Sequence, residues 1–245
     1  MRCLAFLSGG LDSIAAIKMA LNKSFVTEMH MIHIQRQHEG SLSFVPELYC
    51  SLNFFRYCKK TYNIPISIEI PILHLTNSTD FQDVLFYEMF ANFANHRLDT
   101  DYVIIGSTRD DDRRLEIERG EYGDEIKKGE IPQHMRMARS FTESFEEIYE
   151  YGKFKYWRPA IRKTKMECLE YIDSLPYWSC QKPVFKTDDL IEPCGRCHAC
   201  EEFKMIKHRT LKMGECRETK SALLAFRLEE KIRKTYRSYS DNDRI

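Results

Sequence analysis

Short apolar runs alternate with helical spacings along the first hundred residues. The run "RCLAFL" (Arg2 to Leu7) has strand length, and "DSIAAIKMAL" after it carries apolar residues at helical intervals. "VTEMHMIHI" (Val26 to Ile34) predicts a second strand. Leu48, Leu52, Phe55 and Cys58 fall near one face of a helix from Glu47 to Tyr62, and "IPISIEIPI" (Ile64 to Ile72) predicts a third strand. Phe81, Leu85, Phe86, Met89, Phe90, Phe93 and Ala94 then form a wide helical stripe suited to packing on a sheet. "DYVIIGS" supplies a fourth strand ending at Gly106. Such alternation predicts βα units and a parallel sheet flanked by helices, an α/β fold. From Thr108 to Arg139 the chain is charged and weakly periodic with three glycines, which reads as a long loop or lid over the sheet edge, or as a solvated insertion.

Open α/β sheets bind ligands beyond the carboxyl ends of their strands, and Gly9, His33 and Gly106 each lie near such an end. Between the first strand and its helix stands Ser8-Gly9-Gly10-Leu11-Asp12-Ser13. Two glycines let the backbone adopt positive φ and approach a ligand closely, and Asp12 and Ser13 are candidates to cap a helix whose free N–H groups attract anions. The chemistry is that of a phosphate cradle, although a tight turn would use the same residues. It lacks the lysine and the GxxxxGK[ST] spacing of a Walker loop.

Composition narrows the class. At 245 residues and 43% hydrophobic, the chain can bury a full α/β core and carry an appendage. The opening residues lack a secretory cleavage pattern, and no window approaches the roughly 18 apolar residues of a membrane span, so a soluble cytoplasmic protein without membrane contact is expected. Formal net charge is zero, unlike a chain that is basic throughout for nucleic acid. Yet from Lys204 to Arg237 eleven Lys/Arg face four Glu on predicted helix, either a solvated face or a surface for a protein or nucleic-acid partner.

Nine cysteines in a chain without a secretory signal point to reduced thiols or a metal. Cys180, Cys194, Cys197 and Cys200 form two overlapping C-x-x-C pairs with one cysteine upstream, which suits a tetrahedral four-thiolate zinc site of structural type. An iron–sulfur cluster is the chemical alternative. Cys3, Cys50, Cys58, Cys168 and Cys216 lack such spacing, and His198 reads as an exposed neighbour inside the knuckle. Two further features bear on the cradle. Asp110 and Asp111, in "RDDD" after Gly106-Ser107-Thr108, are candidate magnesium ligands or simply an acidic loop start. Thr164 can cap a helix that begins at Lys165, where a cation opposes the helix dipole unless a phosphate or adenylate partners it.

The SGGLDS stretch resembles the SGGxDS signature of PP-loop ATP pyrophosphatases. With the C…CGxCxxC pattern near the end, the chain is similar to the QueC (7-cyano-7-deazaguanine synthase) family of that group. Landmarks agree in order: "IQRQH" (Ile34 to His38) with the family's GQRH, Gly106 and Asp111 with its GxNxxD, and "PAIRKTK" with its PLxxLTK, ending at Lys165. The family's tyrosine-proline-aspartate-cysteine stretch is replaced by "DRRLEIERGEYGDE", and its PGRN segment has no counterpart before Thr100.

The resemblance implies a Rossmann-like fold of the adenine nucleotide alpha hydrolase type over 1–175, a zinc-binding segment over 176–215 and a helical tail over 216–245. It implies ATP, magnesium and zinc as cofactors, with a deazapurine and ammonia as substrates. ATP would adenylate the carboxylate of 7-carboxy-7-deazaguanine, ammonia would displace AMP, and a second ATP would drive elimination to the nitrile. Ser8, Gly9, Gly10, Leu11, Asp12, Ser13 and Gly106 would line the nucleotide site. Asp111 and Asp110 would hold magnesium, Lys165 would meet the α-phosphate, and Cys180, Cys194, Cys197 and Cys200 would hold zinc, pinning the C-terminal segment against the sheet edge. Because the pocket segments diverge, an adenylating ligase with a protein or nucleic-acid acceptor is the second reading. A nucleotide-binding partner subunit without turnover is the third, and a homodimer is compatible with all of them.

Overall fold

The structure, a computed structural model, describes residues 1–38, 42–75, 99–109, 155–187, 189–197, 199, 200, 211, 212 and 218–228. The stripe from Phe81 to Ala94, Asp110, Asp111, nearly all of the 108–139 segment, His198, Cys216 and the tail past residue 228 lie outside the described residues.

The apolar run at the start forms β1 (Arg2–Phe6), and the helical spacing after it forms α1 (Leu11–Leu21). The predicted second strand is divided: β2 (Glu28–Ile32) is followed by a separate β3 (Gln35–His38). Helix α2 (Phe44–Thr61) begins three residues before its apolar spacing predicts. Its third residue is Pro46, tolerated because first-turn N–H groups have no helical acceptor anyway. The predicted third strand likewise divides into β4 (Ile66–Glu69) and β5 (Ile72–Leu75). Pairing continues across the break, with His33 N–H donating to Glu69 C=O and Gln35 N–H to Pro71 C=O, both at 2.9 Å. Pro71 can accept in this ladder but cannot donate, which is where the two strand pairs separate.

β6 (Tyr102–Ile104) and β7 (Lys155–Trp157) complete a five-stranded sheet in the order β4-β2-β1-β6-β7, with every pairing parallel. The chain therefore winds outward from β1 on one side and returns for β6 on the other. The carboxyl ends of β1 and β6 are the switch point, where connections diverge and leave a crevice. Helix α3 (Lys165–Ile172) covers one face beside α1, and Lys18 Nζ donates to Tyr171 C=O at 2.8 Å between them. Leu4, Ala5, Ile14, Ile17, Met29 and Ile104 are fully buried in this sandwich.

A second apolar cluster stands apart. It joins Phe44, Val45 and Cys50 of α2 to Trp178, Cys180, Ile191, Cys197, Cys200, Leu211, Leu223 and Phe226. A small antiparallel sheet frames it: β8 (Val184–Phe185), β9 (Leu190–Glu192) and β10 (Leu211–Lys212). The helical stretch 218–228 buries Thr219, Leu223 and Phe226, spaced for one helical face, and sets the Phe226 ring 5.2 Å from that of Phe44. The cysteine segment meets the carboxyl edge of the sheet through Trp178, whose N–H donates to Gly9 C=O at 2.9 Å, while its apolar contacts are made with α2. No strand of the five-stranded sheet contributes to this cluster among the described residues; the segment packs on the first turns of α2 because those supply its apolar partners. Among the described residues no helix is long and apolar enough to cross a membrane.

Candidate functional site

At the end of β1 the chain turns through Ser8, Gly9 and Gly10. Gly9 has φ +82°, and a Cβ there would overlap the Glu47 carbonyl oxygen of α2, so both the backbone and the packing require glycine. Gly10 N–H donates to Ser8 Oγ at 3.2 Å, Ser8 Oγ and Ser13 Oγ are 2.9 Å apart, and Ser13 Oγ–H donates to Gly10 C=O at 3.0 Å. The two hydroxyls thus close a ring that holds the turn shut. One expectation needs correction here: neither Asp12 nor Ser13 caps α1. The extended Gly10 (φ −80°, ψ 162°) is the cap residue and makes no side-chain cap bond, because α1 already starts at Leu11 and places both residues inside the first turn. First-turn N–H groups so left without a side-chain cap are the donors an anion uses.

Gly106 completes the crevice from the other strand. A Cβ on it would lie 2.6 Å from both N and Cα of Ser13, so only glycine lets the end of β6 pass this closely beneath α1. Beyond it, Arg109 N–H donates to Lys163 C=O at 2.8 Å, tying the strand end to the chain entering α3.

Thr164 caps α3 as predicted, within a full capping box. Glu167 N–H donates to Thr164 Oγ1 at 3.1 Å, and Thr164 N–H donates to Glu167 Oε2 at 2.8 Å. That backbone hydrogen bond, with the Lys163 ammonium 3.0 Å away, lowers the Glu167 carboxyl to about 2. The box fixes Lys165 as the first helical residue. Its side chain is 9% exposed, and Nζ lies 3.7 Å from Asp12 Oδ2 in the first turn of α1. Two residues far apart in sequence thus meet across two helix N-termini, where the acid suits the dipole and offsets the misplaced cation.

His33 lies under the turn, fully buried. Its Nδ1 is 2.7 Å from Leu7 C=O and 2.9 Å from Ser51 Oγ. Burial lowers its pKa to about 4, against the opposing Leu7 bond and with the Arg36 charge assisting. The ring is therefore neutral near pH 7, and the tautomer that donates Nδ1–H to Leu7 C=O fits these contacts.

The crevice is a cleft of about 270 Å³ whose floor includes Ser8, Gly10, Asp12 and Ser13. Lys165 stands outside its immediate lining and reaches it through Asp12. Arg36, Glu47, Ser179 and Gln181 also line the cleft, and none had been singled out as a site residue. Arg36 had a signal in "IQRQH". The other three had none, since their proximity follows from α2 and the cysteine segment both closing on the turn.

The four cysteines converge. Their sulfur atoms all lie within 4.8 Å of one another, with Cys194–Cys200 and Cys180–Cys197 at 3.9 Å. One ion with metal–sulfur bonds of about 2.3 Å has tetrahedral edges of about 3.8 Å, so the set fits a single tetrahedral ion. A cubane cluster, whose irons occupy separate corners, needs its thiolates farther apart. Gly195 at φ +70° makes the turn inside the knuckle. For Cys194, burial opposes ionisation but is outweighed by N–H donors of Arg196 and Cys197 and by the neighbouring thiols, which bring it to about 6. Burial raises Cys180 and Cys200 instead. A metal entering here displaces their protons. Cys3, Cys58 and Cys168 are buried thiols of the sheet core, Cys50 is buried in the same apolar cluster as the four, and burial raises Cys3 to about 11.

The fold and the four cysteines place the chain in the class of parallel α/β proteins with a C-terminal cysteine cluster able to hold a metal ion. No protein-family model matches the chain, and neither does any curated protein. Among solved structures it is similar to the U34-tRNA thiolase NcsA from Methanococcus maripaludis with its [4Fe-4S] cluster, at 14% identity over 94% of this chain and 72% of that one, with a TM-score of 0.47. A likeness at that level assigns no activity.

Proposed function

We propose that the chain is an ATP-dependent adenylating enzyme of PP-loop type that converts 7-carboxy-7-deazaguanine and ammonia to 7-cyano-7-deazaguanine. The observation that carries the nucleotide part is the Asp12–Lys165 pair set against the Ser8-Gly9-Gly10 turn at the sheet's switch point. The product assignment rests on the sequence resemblance. In this reading the first-turn N–H groups and the serine hydroxyls receive the leaving pyrophosphate, and Lys165 balances charge at the α-phosphate. The substrate carboxylate attacks the α-phosphorus and pyrophosphate leaves. Ammonia attacks the acyl carbon, AMP departs and a proton is lost. The amide oxygen then attacks the α-phosphorus of a second ATP, pyrophosphate leaves, and loss of AMP and protons yields the nitrile. Asp110 and Asp111 would hold magnesium, and zinc would occupy the thiolate site as a structural ion, supported by the sulfur spacing.

The test incubates purified, zinc-loaded protein with magnesium, ATP, ammonium and 7-carboxy-7-deazaguanine, following nitrile and AMP by mass spectrometry. Both should form together, with Asp12→Ala inactive and Lys165→Ala slowed by about 10²–10³-fold, as when one electrostatic donor is removed. AMP without nitrile would move the acceptor to a protein or nucleic acid. No AMP under any condition would leave a binding subunit.

A further inference from the structure

The thiolate centre and the cleft share one short stretch of chain. Trp178 N–H donates to Gly9 C=O at 2.9 Å, within the turn that forms the cradle. The indole Nε1–H of the same residue donates at 2.7 Å to the carbonyl of Cys180, the first of the four thiolate ligands. The residue is 4% exposed and packs in the cluster that contains Cys180, Cys197 and Cys200. On either side of Cys180, Ser179 and Gln181 line the cleft. Between α3 and β8, residues 175–183 belong to neither helix nor strand. Such a segment takes its position from what it is tied to at its ends. Here those ties are the Gly9 carbonyl on one side and the ion that would be bound by Cys180 on the other.

We infer that Trp178 is a positioning residue that couples the four-thiolate centre to the nucleotide cleft. With a metal bound, Cys180 is fixed, its carbonyl holds the indole, and the backbone N–H of Trp178 braces the Gly9 turn while Ser179 and Gln181 form a wall. Without the metal, Cys180 sits in a segment with no secondary structure of its own, and the wall loosens. Metal occupancy therefore raises nucleotide affinity. By linkage, bound nucleotide raises metal affinity by the same factor, and couplings of this kind span about 5- to 150-fold. The inference rests on the nucleotide reading of the cleft, and the experiment separates the two.

Full-length protein, zinc-loaded or chelator-stripped, is titrated with magnesium and α,β-methylene-ATP by calorimetry. In parallel, zinc affinity is measured by chelator competition with and without that nucleotide. The stripped protein should bind nucleotide about tenfold or more weakly, and nucleotide should tighten zinc by a matching factor. Trp178→Phe keeps ring bulk but lacks the indole N–H. Its zinc-loaded form should bind nucleotide more weakly, with the loaded-to-stripped ratio drawn toward one. Equal nucleotide affinity in loaded and stripped wild-type protein, with amide exchange showing the sheet folded in both, overturns the coupling. If stripping melts the sheet as well, the zinc-loaded Trp178→Phe protein decides, and an unchanged Kd overturns it. Failure of loaded wild-type protein to bind nucleotide at all overturns the nucleotide reading, and the coupling with it.

Discussion

The cleft assembles Ser8, Arg36 and Gly106 from distant parts of the chain, with Lys165 behind Asp12, whereas the four-cysteine cluster draws all its thiols from the stretch between Cys180 and Cys200. The first is held by close packing of a parallel sheet and two helix N-termini. Its sheet-and-helix frame therefore exists before any ligand arrives, apart from the wall formed by residues 178–181. The second is framed by strands of two or three residues, too little to hold buried thiols in a tetrahedron without an ion. Long-range assembly yields a preorganised site, and local assembly yields one whose order depends on what it binds.

The sharpest way to break this contrast is to remove the ion. Chelation, or Cys194→Ser, should abolish stoichiometric metal binding and expose the amides of 184–197 to exchange. Structural zinc sites contribute on the order of 10 kcal/mol to the segments they fold, while the amides of β1, β2 and β6 should stay protected. Simultaneous loss of protection in both regions would show one cooperative unit and defeat the contrast.

An acid titration probes the preorganised end. His33 has a folded pKa of about 4, below its unfolded value near 6.5, so the unfolded state binds more protons between those values. Stability is complete above about pH 6.5 and falls as pH drops toward 4, by about 3 kcal/mol in all. Denaturant midpoints of wild type and His33→Gln across that window check this. A variant that keeps the wild-type slope would show that another group carries it.

The smallest expected effect comes from Gly106→Ala. The added methyl lies 2.6 Å from the Ser13 backbone, and overpacking of this kind costs about 1–3 kcal/mol. Nucleotide affinity should fall while metal content stays that of wild type. Should the metal be lost too, the two regions are less separable than their construction suggests.

Several site features were legible because they are local. The strand–SGG–helix order, the Thr164 cap ahead of Lys165 and the cysteine spacing all depend on neighbours in sequence, and each appears in the structure where the pattern placed it. Misreadings arose where a short-range rule met a longer constraint. Asp12 and Ser13 match cap chemistry, yet Gly10 takes the cap position because the turn beneath α1 is fixed from β1, by Ser8 on one side and Glu47 on the other. The division of β2 from β3 follows a break beside Pro71 in the partner strand, which the apolar run itself does not mark.

Local patterns carry the first strand and its helix, the cap ahead of Lys165 and the cysteine spacing, since strand and helix periods, glycine conformations and thiolate spacing are read within a few positions. Tertiary structure alone decided that Asp12 meets Lys165, that Gly106 passes beneath Ser13, and that Trp178 joins the Gly9 turn to Cys180. Those meetings follow from sheet order and from which apolar faces close on one another, a property of the whole packed chain that no local window contains.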